Sequence, residues 1–210
     1  MSRIIQIIFF MLIVKPIIFI VLGLNIKGKK NLPINGPAVI AANHNSHLDA
    51  MVLMSLYPLS QLHKIRPVAA ADYFLKNRFL KWFSKNCIGI IPLDRKKHTD
   101  RKSLFSECHD ALNQNQILII FPEGSRGLPE EISTLKKGLF HLVNERVNTI
   151  ITPVIMHGLG KSLPKGEALL VPFNCDVIIG EKLPSASSSD QFVKQLSQIF
   201  EDLKSYCITK

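Results

Sequence analysis

Ile117-Leu118-Ile119-Ile120-Phe121-Pro122-Glu123-Gly124-Ser125-Arg126-Gly127 is the stretch on which the reading of the chain turns. Its apolar half, closed by turn formers, is the clearest buried strand in the sequence. Pro122 and the two glycines then make a constrained turn that exposes Glu123, Ser125 and Arg126 and lets backbone N–H groups approach an anion. A plainer reading pairs Glu123 with Arg126 as a local ion pair. Ser125 is not a nucleophile of the elbow type, because G-x-S-x-G requires glycine where Glu123 stands.

Working outward, the same arrangement recurs. Pro37-Ala38-Val39-Ile40-Ala41-Ala42 runs into Asn43-His44-Asn45-Ser46-His47-Leu48-Asp49, and Cys87-Ile88-Gly89-Ile90-Ile91-Pro92-Leu93 runs into Asp94-Arg95. Further strands are expected at Arg66–Ala71, Thr149–Met156, Ala168–Val171 and Asp176–Gly180. Helices are expected at Ser46–Tyr57, from Asp72 to about Lys85, from Asp100 to about Asn113, from Ile132 to about Val147 with Lys136-Lys137-Gly138 near its middle, and at Asp190–Tyr206. This alternation predicts an α/β fold with a mixed, largely parallel central sheet flanked by helices. Ligands of open α/β sheets bind beyond the carboxyl ends of the strands, so parallel strands would gather His44, Asp94-Arg95 and Glu123–Arg126 on one edge.

His44 and Asp49 admit more than one reading. An imidazole and a carboxylate at this spacing, directly after an apolar run, suit a base and its orienting acid. Ser46 and Asp49 equally fit a capping box at the start of the following helix, with His44 an unrelated turn residue. Five residues along one helix would separate the two side chains by roughly 140°, so His44 has to lie in the turn before it. A metal site from His44, His47 and Asp49 is a weaker third reading, because no further ligand cluster is visible.

Of 210 residues, 47% are hydrophobic and 20% charged, enough for one sizeable core. The net charge of +10 is concentrated early: residues 61–102 hold 11 Lys and Arg against 3 Asp and Glu, whereas residues 103–210 hold 10 against 12. Such a surface favours anionic partners, although basic runs are often plain solvated surface. A nucleic-acid adaptor would have no use for the Asp94 and Glu123 turns, and nucleic acid is not expected as a partner. The four cysteines, Cys87, Cys108, Cys175 and Cys207, show neither zinc-site nor disulfide spacing. Gly23-x4-Gly28-Lys29 has the outline of a P-loop, but Lys30 stands where Ser or Thr would hold magnesium, and Pro33, Gly36 and Pro37 prevent an immediate helix.

Ile4 to Leu24 is nearly all apolar and about long enough to span a bilayer core. Gln6 and Lys15-Pro16 interrupt it, which leaves two shorter segments and disfavours a straight span without excluding it; a helical hairpin dipping into one leaflet would let Lys15 reach back to the headgroups, and a buried core helix is a further alternative. A signal peptide is disfavoured by the lack of a small-x-small cleavage site. Lys27, Lys29 and Lys30 should stay cytoplasmic by the positive-inside tendency, along with all that follows. The expected division is a membrane-anchoring segment at 1–24 and a catalytic domain at 25–210. Tyr73, Phe74, Phe79, Leu80, Trp82 and Phe83 among Lys76, Arg78, Lys81 and Lys85 suit a membrane interface, an acyl-chain cleft or an ordinary helix packed on a sheet.

These blocks resemble the 1-acylglycerol-3-phosphate acyltransferases and the wider glycerolipid acyltransferase family. The His-x4-Asp block appears at 43–49 and the block ending in Asp-Arg at 89–95. Phe121-Pro122-Glu123-Gly124-Ser125-Arg126 supplies the third, with Ser125 where threonine is usual, and Thr152-Pro153-Val154 supplies the Pro-Val block. The resemblance runs from about Gly23 to Glu181. It implies acyl transfer from an acyl-CoA or acyl-carrier-protein thioester to a lysophospholipid hydroxyl, directly and without an acyl-enzyme. His44 would be the general base and Asp49 its orienting partner. Asp94, Arg95, Glu123, Gly124, Ser125, Arg126 and Lys137 would form the substrate-binding set, with the arginines on the acceptor phosphate and Glu123 positioning the acceptor. No metal and no cofactor beyond the acyl donor are implied. Membrane phospholipids are the expected surroundings, with the active site on the cytoplasmic face of the inner membrane. The stretch Val68-Ala69-Ala70-Ala71-Asp72 lacks a lysine common in the family, and Asn113-Gln114-Asn115-Gln116 lacks a glycine. The missing lysine opens the choice of acceptor: lysophosphatidate comes first, lyso-ornithine lipid or another lysolipid is an alternative, and a non-enzymatic anionic-lipid binder is a third reading.

Overall fold

The computed structural model describes residues 2–74, 77–94, 101–144, 146, 148–162 and 171–209. Seven strands form the sheet: β1 (Gly23–Lys27), β2 (Ala38–Ala42), β3 (Ile65–Ala70), β4 (Ile91–Leu93), β5 (Ile117–Ile120), β6 (Ile150–His157) and β7 (Asn174–Ile179). Their order is β1-β7-β6-β2-β5-β3-β4. All neighbours are parallel except β6 and β7. The sheet is thus mixed and largely parallel, as the alternation of elements predicts.

Nine α-helical stretches are described: α1 (Ser2–Phe9), α2 (Asp49–Ser55), α3 (Ala71–Phe74), α4 (Arg78–Phe83), α5 (Arg101–Leu104), α6 (Ser106–Asn113), α7 (Gly138–Val143), α8 (Leu159–Ser162) and α9 (Ser189–Lys204). They cover both faces. Ala38, Ile40, Ala42, Ile117 and Ile119 face one core, closed by Val52, Leu53 and Met54 of α2 and by the N-terminal helix. Val39, Ala41 and Leu118 face the other, closed by Cys108 and Leu112 of α6, Leu139 and Leu142 of α7, and Phe192, Leu196 and Phe200 of α9. The alternation of side chains along a strand sends neighbouring residues to opposite cores, and β2 is buried on both.

The N-terminal segment departs from its expectation. It is one continuous helix, Arg3–Val21, long and apolar enough to cross a membrane by length and composition. Lys15 and Pro16 both keep helical backbone angles. Proline lacks an N–H and would leave an i→i−4 gap. Here π-helical turns at Phe10–Val14 and Ile17–Val21 flank it, and the Lys15 N–H reaches the Phe10 carbonyl instead. The Lys15 ammonium donates to the Tyr57 carbonyl at 3.0 Å. Gln6, Phe10, Val14, Ile18 and Leu22, every fourth residue, are buried against the domain. In a pure α-helix such a stripe would drift by roughly 40° per step, and the wider π-turns offset the drift.

Three further elements differ from the sequence reading. The segment after Asp72 is not one helix: Asn77 is extended, and its side chain caps a new helix, α4, by accepting the Leu80 N–H at 2.6 Å. The apolar run from Cys87 is not all strand: Ser84–Ile88 is a π-helical turn ended by Gly89 at φ 82°, and only Ile91–Leu93 is extended. The helix expected from Ile132 begins at Gly138, so Lys136-Lys137 precede it. Most of the strand expected at 168–171 lies outside the described residues.

Candidate active site

β2 ends at Ala42, and its exit turn is held by side chains from within the turn and from neighbouring strands. Asn43, buried, donates to the Met156 carbonyl at 2.8 Å and accepts the Met156 N–H at 2.7 Å, which ties the exit of β2 to the end of β6. Asp49 is 1% exposed. Its Oδ2 accepts the backbone N–H groups of Asn45 at 2.7 Å and Ser46 at 2.9 Å and meets His44 Nδ1 at 2.9 Å. The N-cap of α2 is Leu48, without a side-chain cap, so the Asp49 carboxylate holds the turn before the helix and the His44 ring at once. Because a carboxylate only accepts, Nδ1 carries the proton and Nε2 is left as the basic nitrogen.

The neighbouring exit, after β5, braces the same histidine. The His44 ring stacks on Phe121, with centroids 4.0 Å apart and planes at 15°. The His44 N–H donates to Glu123 Oε1 at 2.7 Å, and the His44 carbonyl accepts the Gly127 N–H at 2.9 Å. Glu123 Oε2 accepts the Ser133 N–H at 2.9 Å. Burial raises the Glu123 carboxyl above the usual carboxylate range, and the hydrogen bonds from His44 and Ser133 oppose the shift. Glu123 is only 2% exposed, and its two oxygens hold the backbone of the His44 turn and of Ser133. The ion pair with Arg126 considered from the sequence gives way to these N–H donors.

A cavity of about 750 Å3 opens beside the two turns. Its lining carries the polar residues His44, His47, Asp72, Ser84, Ser125, Arg126 and Lys136 beside a larger apolar set that includes Val68, Phe83, Leu104, Phe105, Leu139 and Leu142. Gly124, at φ 75°, presents its bare Cα side to the Lys136 chain, which a Cβ would meet at 3.1 Å. The His47 imidazole lies against the Arg126 guanidinium. Burial lowers the pKa of His47, Arg126 and His44 add to this, and Asp49 opposes it.

Of the residues singled out in the sequence, His44, Asp49, Glu123, Gly124, Ser125 and Arg126 come together. Asp94 follows β4 on the same sheet edge, but β3 and β5 intervene, roughly 14 Å at the usual strand spacing. Asp94 does not line the cavity, and Arg95 lies outside the described residues. Lys137 turns away and pairs with Asp190 of α9 at 2.8 Å, while its neighbour Lys136 lines the cavity. The correction has a local cause: Lys137 is the N-cap residue of α7, so it sits outside the loop that returns to Pro122 through the Lys136 N–H at 2.8 Å. Asn43, His47 and Lys136 were missed as contributors. The first two stand within the His-x4-Asp block itself, which was the available signal. Among the described residues no group of three or more His, Cys, Asp or Glu side chains could hold a metal ion.

The acyltransferase family model matches residues 23–157, from β1 through the end of β6. The chain belongs to the acyltransferase family. Among its relatives is the chloroplastic 1-acyl-sn-glycerol-3-phosphate acyltransferase LPAT1 of Arabidopsis thaliana, 28% identical over 182 residues, covering 86% of this chain and 49% of that protein. The human 1-acyl-sn-glycerol-3-phosphate acyltransferase alpha is 26% identical over 175 residues, covering 82% and 59%. The chain thus spans about half the length of the curated relatives it matches. The fold is similar to that of the 1-acyl-sn-glycerophosphate (LPA) acyltransferase PlsC of Thermotoga maritima, with a TM-score of 0.70 at 18% identity over 90% of this chain and 74% of that one. Within the acyltransferase family match lie the His44–Asp49 pair and the polar residues of the cavity lining.

Proposed function

We propose that this acyltransferase moves a fatty acyl group from acyl-CoA or acyl-carrier protein to the free hydroxyl of 1-acylglycerol-3-phosphate, giving phosphatidic acid. One observation carries the reading: a histidine tied through Nδ1 to a buried carboxylate lines a cavity whose other walls are largely apolar and include Arg126 and Lys136. The apolar part suits an acyl chain, and Arg126 and Lys136 suit the acceptor phosphate. Arg95, next to Asp94 in the sequence, is a further candidate for that phosphate.

The chemistry follows from the proton positions. His44 Nε2 takes the proton of the acceptor hydroxyl as its oxygen attacks the thioester carbonyl. Asp49 stabilises the imidazolium that forms. The tetrahedral intermediate collapses by breaking the C–S bond, and the departing thiolate takes the proton back from His44. Ester and thiol are the products, and His44 is again neutral. No covalent enzyme intermediate is needed, which fits a turn without a nucleophile elbow.

Lipid substrates make a membrane the working surface. The helix Arg3–Val21 buries one stripe in the domain and leaves Ile4, Leu12 and Ile20 exposed, the last by 82%. Phe79 and Trp82 of α4 are exposed too, and Phe83 of α4 meets Phe9 edge to face at 5.2 Å while also lining the cavity. This supports an in-plane helix whose outer face enters one leaflet, with the remaining domain on the cytoplasmic side of the inner membrane. The test is a panel of lysolipid acceptors with labelled acyl-CoA and acyl-carrier protein in purified membranes. Acyl transfer to 1-acylglycerol-3-phosphate is expected, and transfer to lyso-ornithine lipid alone, or to none, would overturn the reading.

A further inference from the structure

His47 has no part in the proton transfer above, yet it lines the cavity. The parallel neighbours β2 and β5 send their exit turns out side by side, and this brings His47 of one turn onto Arg126 of the other, 79 residues apart. We propose that His47 is a positioning residue for Arg126: its imidazole accepts a hydrogen bond from the guanidinium and fixes that fork where the acceptor's phosphomonoester docks. The inference rests on the acyl-transfer reading of this site.

The hydrogen-bonding roles are forced by chemistry. Arginine has donors only and stays protonated, so the His47 Nε2 facing it is the acceptor and bears no proton. A neutral imidazole is what the surroundings favour. Arg126 and His44 face His47, Lys136 and Asp72 line the same cavity, and Asp49, behind His44, acts in the opposite sense. Glu123 lies buried beneath the turn with its oxygens held by backbone N–H groups. A long, flexible guanidinium held in advance loses less freedom when it grips a phosphate. Protonation of His47 would end the acceptance and set a second cation against Arg126, loosening the grip.

The experiment measures KM and kcat for 1-acylglycerol-3-phosphate, at saturating acyl donor, in membranes carrying the full chain or its variants His47→Ala, His47→Gln, Arg126→Ala and the His47→Ala/Arg126→Ala double variant. His47→Ala should raise the acceptor KM about 3- to 10-fold, the span of one hydrogen bond, and lower kcat far less. His47→Gln, whose amide oxygen can still accept, should recover most of the loss. The double variant should be no worse than Arg126→Ala, because the histidine acts through the arginine. As pH falls, the wild-type acceptor KM should rise more steeply than that of His47→Gln, which retains only the titration of the phosphate itself. Independent, multiplying effects of the two alanine substitutions, or a loss confined to kcat, would overturn the proposal. An unchanged KM in His47→Ala beside a raised one in Arg126→Ala overturns the role of His47 alone. An unchanged KM in Arg126→Ala overturns the phosphate reading beneath it.

Discussion

Asp49 Oδ2 serves His44 Nδ1 and the turn that leads into α2 at once, accepting the imidazole at 2.9 Å and the N–H groups of Asn45 and Ser46 at 2.7 and 2.9 Å. The two roles separate under substitution. Asp49→Asn keeps an acceptor oxygen for the backbone but removes the charge that stabilises the imidazolium. Its rate should fall toward that of His44→Ala, a loss of roughly 10²–10⁴-fold, while Tm stays near that of the wild type. Asp49→Ala should lose the rate and also about 1–3 kcal/mol of stability, since buried N–H groups lose their acceptor. Kinetics alongside thermal unfolding checks both, and an active Asp49→Asn would remove the carboxylate from the mechanism.

Glu123 gives a pH dependence. Its folded pKa is raised, chiefly by burial, so the folded protein holds this proton more tightly than the unfolded chain. Its contribution therefore favours the fold at low pH and declines as pH rises through the raised pKa. Glu123→Gln should remove this slope from the stability profile. At neutral pH it should also cost about 1–3 kcal/mol, because an amide group replaces one of the two oxygens that hold His44 and Ser133. Chemical denaturation across the carboxylate range measures the effect; an unaltered pH slope would contradict it.

Chain-length preference should follow the walls of the cavity. Ala70, at the end of β3, lines it, and Ala70→Leu would narrow the apolar part without removing a core side chain. Each methylene that the acyl chain can no longer bury costs about 0.8 kcal/mol, roughly fourfold in kcat/KM. Competition between long and short acyl donors should shift toward the short. An unchanged ratio would put the acyl chain elsewhere.

The two faces of the N-terminal helix should respond in opposite ways. Ile20→Glu, on the exposed face, should release the protein from sedimented membranes and leave Tm unchanged. Phe10→Ala, at 0% exposure, should destabilise the domain by about 3–5 kcal/mol. Release by neither substitution, with the fold intact, would argue against the helix as the membrane contact.

Much of the fold was legible because periodicity is local. The apolar runs at 38–42 and 117–120 are strands, and the closing amphipathic helix is α9. The reading failed where distant partners set the backbone. Lys15-Pro16 should have broken a helix by local rules, but π-turns and the Tyr57 carbonyl absorb the defect. Two other departures have local causes instead: Asn77 caps a new helix at α4, and Gly89 closes a π-helical turn before β4 begins.

The sequence alone determined which residue types stand at the strand ends and hence the family and the class of chemistry, since those depend on neighbours a few positions apart. Only the tertiary structure decided which of them act on one another. It joined His44 to Glu123 and His47 to Arg126, each 79 residues distant, and set Lys136 rather than Lys137 in the cavity lining. The physical reason is the non-sequential strand order: β5 and β6 flank β2, and the turns meet only because the sheet makes them neighbours.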